Sequence, residues 1–193
     1  MIFAEFLRLL RQHTEVADQI SVFWQVVGQV QRSFDRAYWR INAMREKVSS
    51  EKVYDFLKKV DMSFPVPLSQ KQDLMVLAEK LCIKGTLCVV TDNGEIVSMV
   101  GGYTENIIDN KAYISVVATL KEYGGKGYAK KLVKEFTDIC KEKNIDAVHL
   151  YTVHNNTFAV NMYKSIGFTE WKIDDEPRKE DLHLIYYIGG NNR

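Results

Sequence analysis

The sequence predicts an α/β fold built on a mixed sheet, and three patterns carry that prediction. Ala112 to Leu120 is a β-branched, aromatic run that stops at Tyr123-Gly124-Gly125-Lys126-Gly127. It is followed by a helical stripe of Ala129, Leu132, Val133, Phe136 and Cys140, with Lys130, Lys131 and Lys134 largely to the other side. Ala147 to Val153 repeats the strand-then-helix order, with a helix over 157–166. Gly85 to Thr91 and Ile96 to Tyr103 flank Asp92-Asn93-Gly94, a hairpin turn.

The remaining elements follow in chain order. Phe3, Phe6, Leu7 and Leu10 make a short apolar stripe, and Val16, Ile20, Phe23, Trp24, Val27, Val30 and Phe34 a longer one. They predict an N-terminal helical extension over residues 1–36, ahead of a domain over 37–193. The long stripe needs cover, from the domain itself or from a second copy of the chain as a homodimer. Tyr38 to Met44 reads as a first strand. A helix then begins at Ser49-Ser50-Glu51 and runs through Val60, Ser63 to Pro67 is irregular, and Ser69 to Leu81 is a second helix. Asp109-Asn110 is turn-like, Asp174 to Asp181 is a charged loop, and His183 to Ile188 is the last strand.

A glycine loop between a strand and a helix aims backbone N–H groups at an anion, because no Cβ obstructs the approach and the helix N-terminus is electropositive. Spacing excludes two phosphate motifs. A P-loop needs Ser or Thr after Gly-Lys, but Gly127 is followed by Tyr128; a dinucleotide fingerprint needs a third glycine where Lys130 stands. What remains is Gly-x-Gly-x-Ala over 125–129.

In the second segment Asn155 or Asn156 serves as the helix N-cap. Ala159, Met162, Tyr163 and Ile166 share a face, Gly167 ends the helix, and Phe168 opens the next strand. In this order and at this separation, the two segments resemble the GNAT superfamily of acyl-CoA-dependent N-acetyltransferases. That family carries Gln/Arg-x-x-Gly-x-Gly/Ala, whose last two fixed positions match Gly127 and Ala129. Its downstream Asn-x-x-Ala, Tyr and Gly-Phe match Asn156, Ala159, Tyr163, Gly167 and Phe168. The resemblance covers roughly Tyr38 to Ile188. One departure is that the family's Gln or Arg is replaced by Gly124, which removes a long polar side chain but leaves the backbone donors.

The resemblance implies a GNAT-like fold and acetyl-CoA as co-substrate, with no metal. It also implies a primary-amine acceptor, small molecule or peptide. Backbone groups of Val117, Ala118 and Thr119 would line the pantetheine arm. The pyrophosphate would rest on Gly124, Gly125, Lys126, Gly127, Tyr128 and Ala129, with Lys126 adding a point charge, and Asn156 would also contact the cofactor. Tyr163 would be the general acid toward the departing thiolate. Phenol and thiol have neighbouring pKa values, ~10 and ~8.5. A backbone N–H near Ala118 or Thr119 would donate to the oxyanion. Glu105 is the candidate base on the acceptor side, with His149 and His154 as alternatives. The competing reading is a non-catalytic acyl-CoA-binding or protein-interaction module on the same fold.

Composition narrows the classes further. The 193 residues are 46% hydrophobic and 26% charged, with a formal net charge of +1. Such a chain has no global field for nucleic acid or an anionic membrane. Cys82, Cys88 and Cys140 lack metal-ligand spacing and sit in apolar runs, which predicts reduced thiols and a cytoplasmic protein. No apolar run is long enough to span a bilayer. Met1 to Leu10, interrupted by Glu5 and Arg8, reads as neither signal peptide nor anchor.

Overall fold

The computed structural model describes residues 48–105, 107–173 and 177–190. The N-terminal stripes, the Tyr38 to Met44 strand and the boundary between residues 36 and 37 lie outside them.

Helix α1 (Ser50–Val60) starts where Ser49 accepts a hydrogen bond from Lys52 N at 3.4 Å, and it buries Val53, Phe56, Leu57 and Val60. Helix α2 (Leu74–Lys84) buries Leu74, Leu77, Ala78 and Leu81. It begins five residues later than Ser69. Ser69 does not cap it: its backbone N–H and hydroxyl both donate to Asp61, at 2.9 and 2.6 Å. The cap is Asp73, whose Oδ1 accepts from Val76 N at 2.9 Å.

Strands β1 (Thr86–Asp92) and β2 (Glu95–Tyr103) form the expected hairpin. Asn93 and Gly94 both have positive φ, 50° and 80°, the signature of a two-residue type I′ connection. Strand β3 (Lys111–Thr119), helix α3 (Tyr128–Glu142) and strand β4 (Ala147–Val153) make a parallel crossover. Helix α4 (Thr157–Ile166) follows, then a two-residue strand β5 (Thr169–Glu170) and β6 (Asp181–Tyr187). The sheet order is β1-β2-β3-β4-β6-β5, and every pair but β3–β4 is antiparallel.

The sheet is covered on both faces. Helices α1 and α2 join Ile96, Met99, Val116 and Ala118 in one core. Helix α3 covers the other face, where Phe136 approaches Gly102 so closely that a Cβ there would lie 2.8 Å from its ring and 2.4 Å from Tyr113 O.

The register holds the feature that makes a site. Gly102 pairs with Ile114, but its neighbour Gly101 pairs with Val116, so Ser115 is an extra residue in β3. Such a bulge bends its strand and sharpens the twist. The β3–β4 ladder runs only from Lys111 opposite Ala147 to Ile114 opposite Leu150. Beyond the bulge the two parallel strands separate, though β3 continues to Thr119 and β4 to Val153.

Candidate active site

The separation of β3 from β4 opens a cleft of about 810 Å³. Val117, Ala118, Thr119, Gly124, Gly125, Gly127, Tyr128, Ala129, Asn156 and Tyr163 all line it, so one space gathers these candidates. Gly125 and Gly127 have φ of 73° and 78°, and a Cβ built on either meets nothing within 4 Å. Their backbone thus fronts open space, and Gly127 is the N-cap of α3. This is a cradle for an anion: left-handed glycines turn the chain so that N–H groups converge at a helix N-terminus. The Tyr123 hydroxyl fastens the loop by donating to Asp92, the last residue of β1, at 2.5 Å.

Strand β3 supplies the cleft's polar backbone. Leu120 N donates to Val97 O at 2.9 Å, and Ser98 Oγ donates to Ala118 O at 3.3 Å. Leu120 and Ala118 therefore turn their main-chain groups toward β2. Alternation then turns those of Val117 and Thr119 toward β4 and the cleft. Of the two expected oxyanion donors, only Thr119 has the required direction.

Tyr163, on α4, is 6% exposed and lies in the cleft wall, its ring 5.6 Å from that of Phe168. Burial pushes its phenol well above the ordinary tyrosine range, so it holds its proton at neutral pH. The near match of phenol and thiol acidities expected from ordinary values does not hold for this tyrosine. Asn156 commits its side-chain oxygen to capping α4, accepting from Ala159 N at 3.3 Å. Gly167 closes the helix at φ 115° and donates to Tyr163 O and Lys164 O.

Four candidates lie elsewhere. Lys126 sets its ammonium 4.6 Å from the Tyr123 ring centroid and does not line the cleft; Lys130 lines it instead. Glu105 follows β2 at the end where β3 begins, opposite to the glycine loop, and pairs with Lys143 at 3.0 Å while 73% exposed. His154 is exposed in the turn after β4. His149 Nδ1 lies 2.9 Å from His183 Nε2, inside a group of rings that includes Tyr113, Tyr151 and Trp171.

The sequence reading missed Phe64 and Val66 in the loop between α1 and α2, and Tyr113, Tyr151 and Arg178, all of which line the cleft. Apolar residues in a proline-bounded loop were a readable hint for the first two. Tyr113 and Tyr151 lie within the expected strands, where nothing local sets them apart from residues of the core. Arg178 sits in a charged loop without local pattern.

A splayed parallel pair with a glycine loop at its open end and a buried tyrosine in its wall is a site with the shape and backbone polarity to receive an extended anionic ligand between strands. Residues 53–168 match the Acetyltransferase (GNAT) family, and the chain belongs to it. The chain is 34% identical over 62 residues to N-alpha-acetyltransferase 30 of Schizosaccharomyces pombe, covering 32% of this chain and 41% of that one. It is 38% identical over 61 residues to mycothiol acetyltransferase of an Arthrobacter species, covering 32% and 19%. The matched stretch is thus less than half the length of either relative. Among solved structures, the PaiA N-acetyltransferase of Thermoplasma acidophilum in complex with coenzyme A aligns with TM-score 0.58 at 18% identity, over 74% of this chain and 97% of that one. A GNAT-family acetyltransferase from Staphylococcus aureus aligns equally well, at 0.58 and 21% identity, over 72% and 92%. Among the described residues no helix is long and apolar enough to cross a membrane, and no cluster of side chains suits a metal ion.

Proposed function

We propose that this protein transfers an acetyl group from acetyl-CoA to a primary amine by direct attack. The observation that carries the reading is the glycine cradle at the open end of the β3–β4 cleft, with Tyr163 in the same wall. The fit is specific: Gly125 and Gly127 leave free the volume that an anion would fill, at the N-terminus of a 15-residue helix. The backbone N–H groups of Gly125 to Ala129 hold the pyrophosphate, and Lys130 adds positive charge. The missing Gln or Arg at Gly124 costs one side-chain contact and leaves the main-chain donors in place.

Acetyl-CoA supplies an activated thioester, and the chain supplies position and polarity. Val117 and Thr119 present main-chain groups to the pantetheine arm as an added strand would, and the Thr119 N–H faces the carbonyl oxygen as negative charge develops on it. Tyr163 keeps its proton and donates a hydrogen bond to the departing sulfur. The apolar wall that raises its pKa would raise that of a thiolate leaving beside it, which restores part of the match. The amine proton passes to water at the cleft mouth, since Glu105, His149 and His154 do not line the cleft. Three free cysteines, two of them buried, support a reducing compartment such as the cytoplasm.

Incubation with acetyl-CoA and a panel of amines, following free thiol and product mass, tests this. The expected result is amine-dependent thiol release with an acetylated product. Tight acetyl-CoA binding without acetylation of any amine would instead make the chain a non-catalytic acyl-CoA-binding module.

A further inference from the structure

The charged side chains lining the cleft among the described residues are Lys71, Lys130 and Arg178. Lys130, in the first turn of α3, belongs to the glycine loop. Arg178 belongs to the other end. Its guanidinium lies 4.7 Å from the Tyr151 ring centroid, and beside Tyr113 it opposes the rise that burial causes in that phenol's pKa. Tyr113 and Tyr151 sit at the start of the splay, immediately before and after the last paired residues, Ile114 and Leu150. Tyr113 is six residues upstream of Thr119, which at about 3.3 Å per residue is roughly 20 Å along the strand. That distance puts Arg178 beyond reach of a phosphate held on the glycine loop.

The guanidinium is also braced. Arg178 Nε donates to Asp181 Oδ2 at 2.6 Å, and a terminal nitrogen pairs with the same oxygen. Asp181 is only 17% exposed and does not line the cleft, so the carboxylate holds the fork from behind while the cation is part of the wall. The Tyr151 ring and the Asp181 carboxylate together hold the fork in place, and a held fork is the arrangement in which arginine recognises a carboxylate or phosphate best. Lys71 adds positive charge from the connection between α1 and α2.

We propose that the amine acceptor carries an anionic group, a carboxylate or a phosphate, close to its amine, and that Arg178 receives it. The acceptor is thus amino-acid-like rather than a polyamine, whose second cation would meet Arg178 with like charge. This inference rests on the acetyl-transfer reading of the same cleft and names its acceptor class.

The test compares matched acceptors that differ only in that group: a free amino acid against its amide, and 2-aminoethyl phosphate against ethanolamine. Both kcat/KM and binding to the protein saturated with CoA are measured. At least one anionic member should exceed its neutral partner roughly tenfold, the scale of one charge-assisted hydrogen bond. The pair that does so identifies carboxylate or phosphate. Arg178→Gln should bring that ratio close to one through KM, with acetyl-CoA affinity as the folding control, and Arg178→Lys should restore part of it. Equal use of charged and neutral partners by the wild-type protein would overturn the inference, as would an unchanged ratio in Arg178→Gln. The binding arm needs no turnover. A protein that prefers the anionic ligands but acetylates none would uphold Arg178's role and overturn the acetyl-transfer reading alone.

Discussion

Ile114 lies opposite Leu150 as the last pair of the parallel β3–β4 ladder, and the next residue, Ser115, is the one that β3 carries in excess of β2. The bulge and the end of pairing coincide. Strand β3 stays bonded to β2 through Thr119, so the bend carries it away from β4 rather than breaking it from the sheet. One inserted residue thus converts a continuous sheet into a cleft whose walls are main chain, and Tyr163 from α4 reaches that cleft.

Tyr163→Phe keeps the ring and its packing on Phe168 while removing the hydroxyl. Thermal stability and acetyl-CoA affinity should change little, and kcat should fall by ~10²-fold or more, the low end of acid–base contributions. An acyl donor with a more acidic thiol should recover part of the loss. Steady-state kinetics with chemistry shown to be rate-limiting reads this out, and a wild-type kcat would remove Tyr163 from the reaction.

Glu105→Gln separates the sequence-based expectation from the structure. Its carboxylate faces Lys143 at the end of the sheet remote from the loop. An exposed pair of this kind contributes only about 0–1 kcal/mol. Activity should stay within about twofold of wild type across pH, because that loss concerns stability and not the cleft. A large fall in kcat that steepens at low pH would restore Glu105 as a base.

Asp61 gives the fold an acid limb. Its carboxylate accepts from the hydroxyl and the backbone N–H of Ser69, and these bonds hold its pKa below the usual value. A carboxylate depressed in the folded state stabilises above its unfolded pKa, about 3.9, and loses that contribution as pH falls through the folded value. Urea midpoints measured from neutral pH downward should therefore fall more steeply below about pH 4 for the wild type than for Asp61→Asn. Parallel curves would show that the bonds to Ser69 carry no proton-linked stability.

Most of the sheet was legible because its signals are local. Asn93-Gly94 dictates its own turn, the α3 stripe buries Leu132, Val133, Phe136 and Cys140, and the α4 stripe buries Tyr163. The start of α2 was not, because Ser69 is drawn to a carboxylate eight residues upstream, which local pattern does not reveal. The glycine loop was legible for the same reason as the hairpin: glycine spacing next to a helix start is a short-range pattern. The acceptor end was hidden. Tyr113, Tyr151 and Arg178 meet only through register between strands distant in sequence, and the missed charge sits in a patternless loop. Glu105 stands at the end of the sheet where Tyr103 pairs with Tyr113, yet outside the cleft lining, a placement that closeness in sequence to a strand end does not reveal.

Acetyl-CoA binding is assigned to the glycine loop and the separated strands, and Gly127→Glu probes that assignment at its centre. The site has φ 78° with nothing within 4 Å of a Cβ, so a side chain there meets only left-handed strain of about 1–2 kcal/mol and no clash. Its carboxylate would occupy the cradle with like charge. Isothermal calorimetry of acetyl-CoA binding, with circular dichroism to show that the fold is retained, should give clear binding to the wild type and none to the variant. Equal affinity in a folded Gly127→Glu protein would contradict the assignment of the cleft.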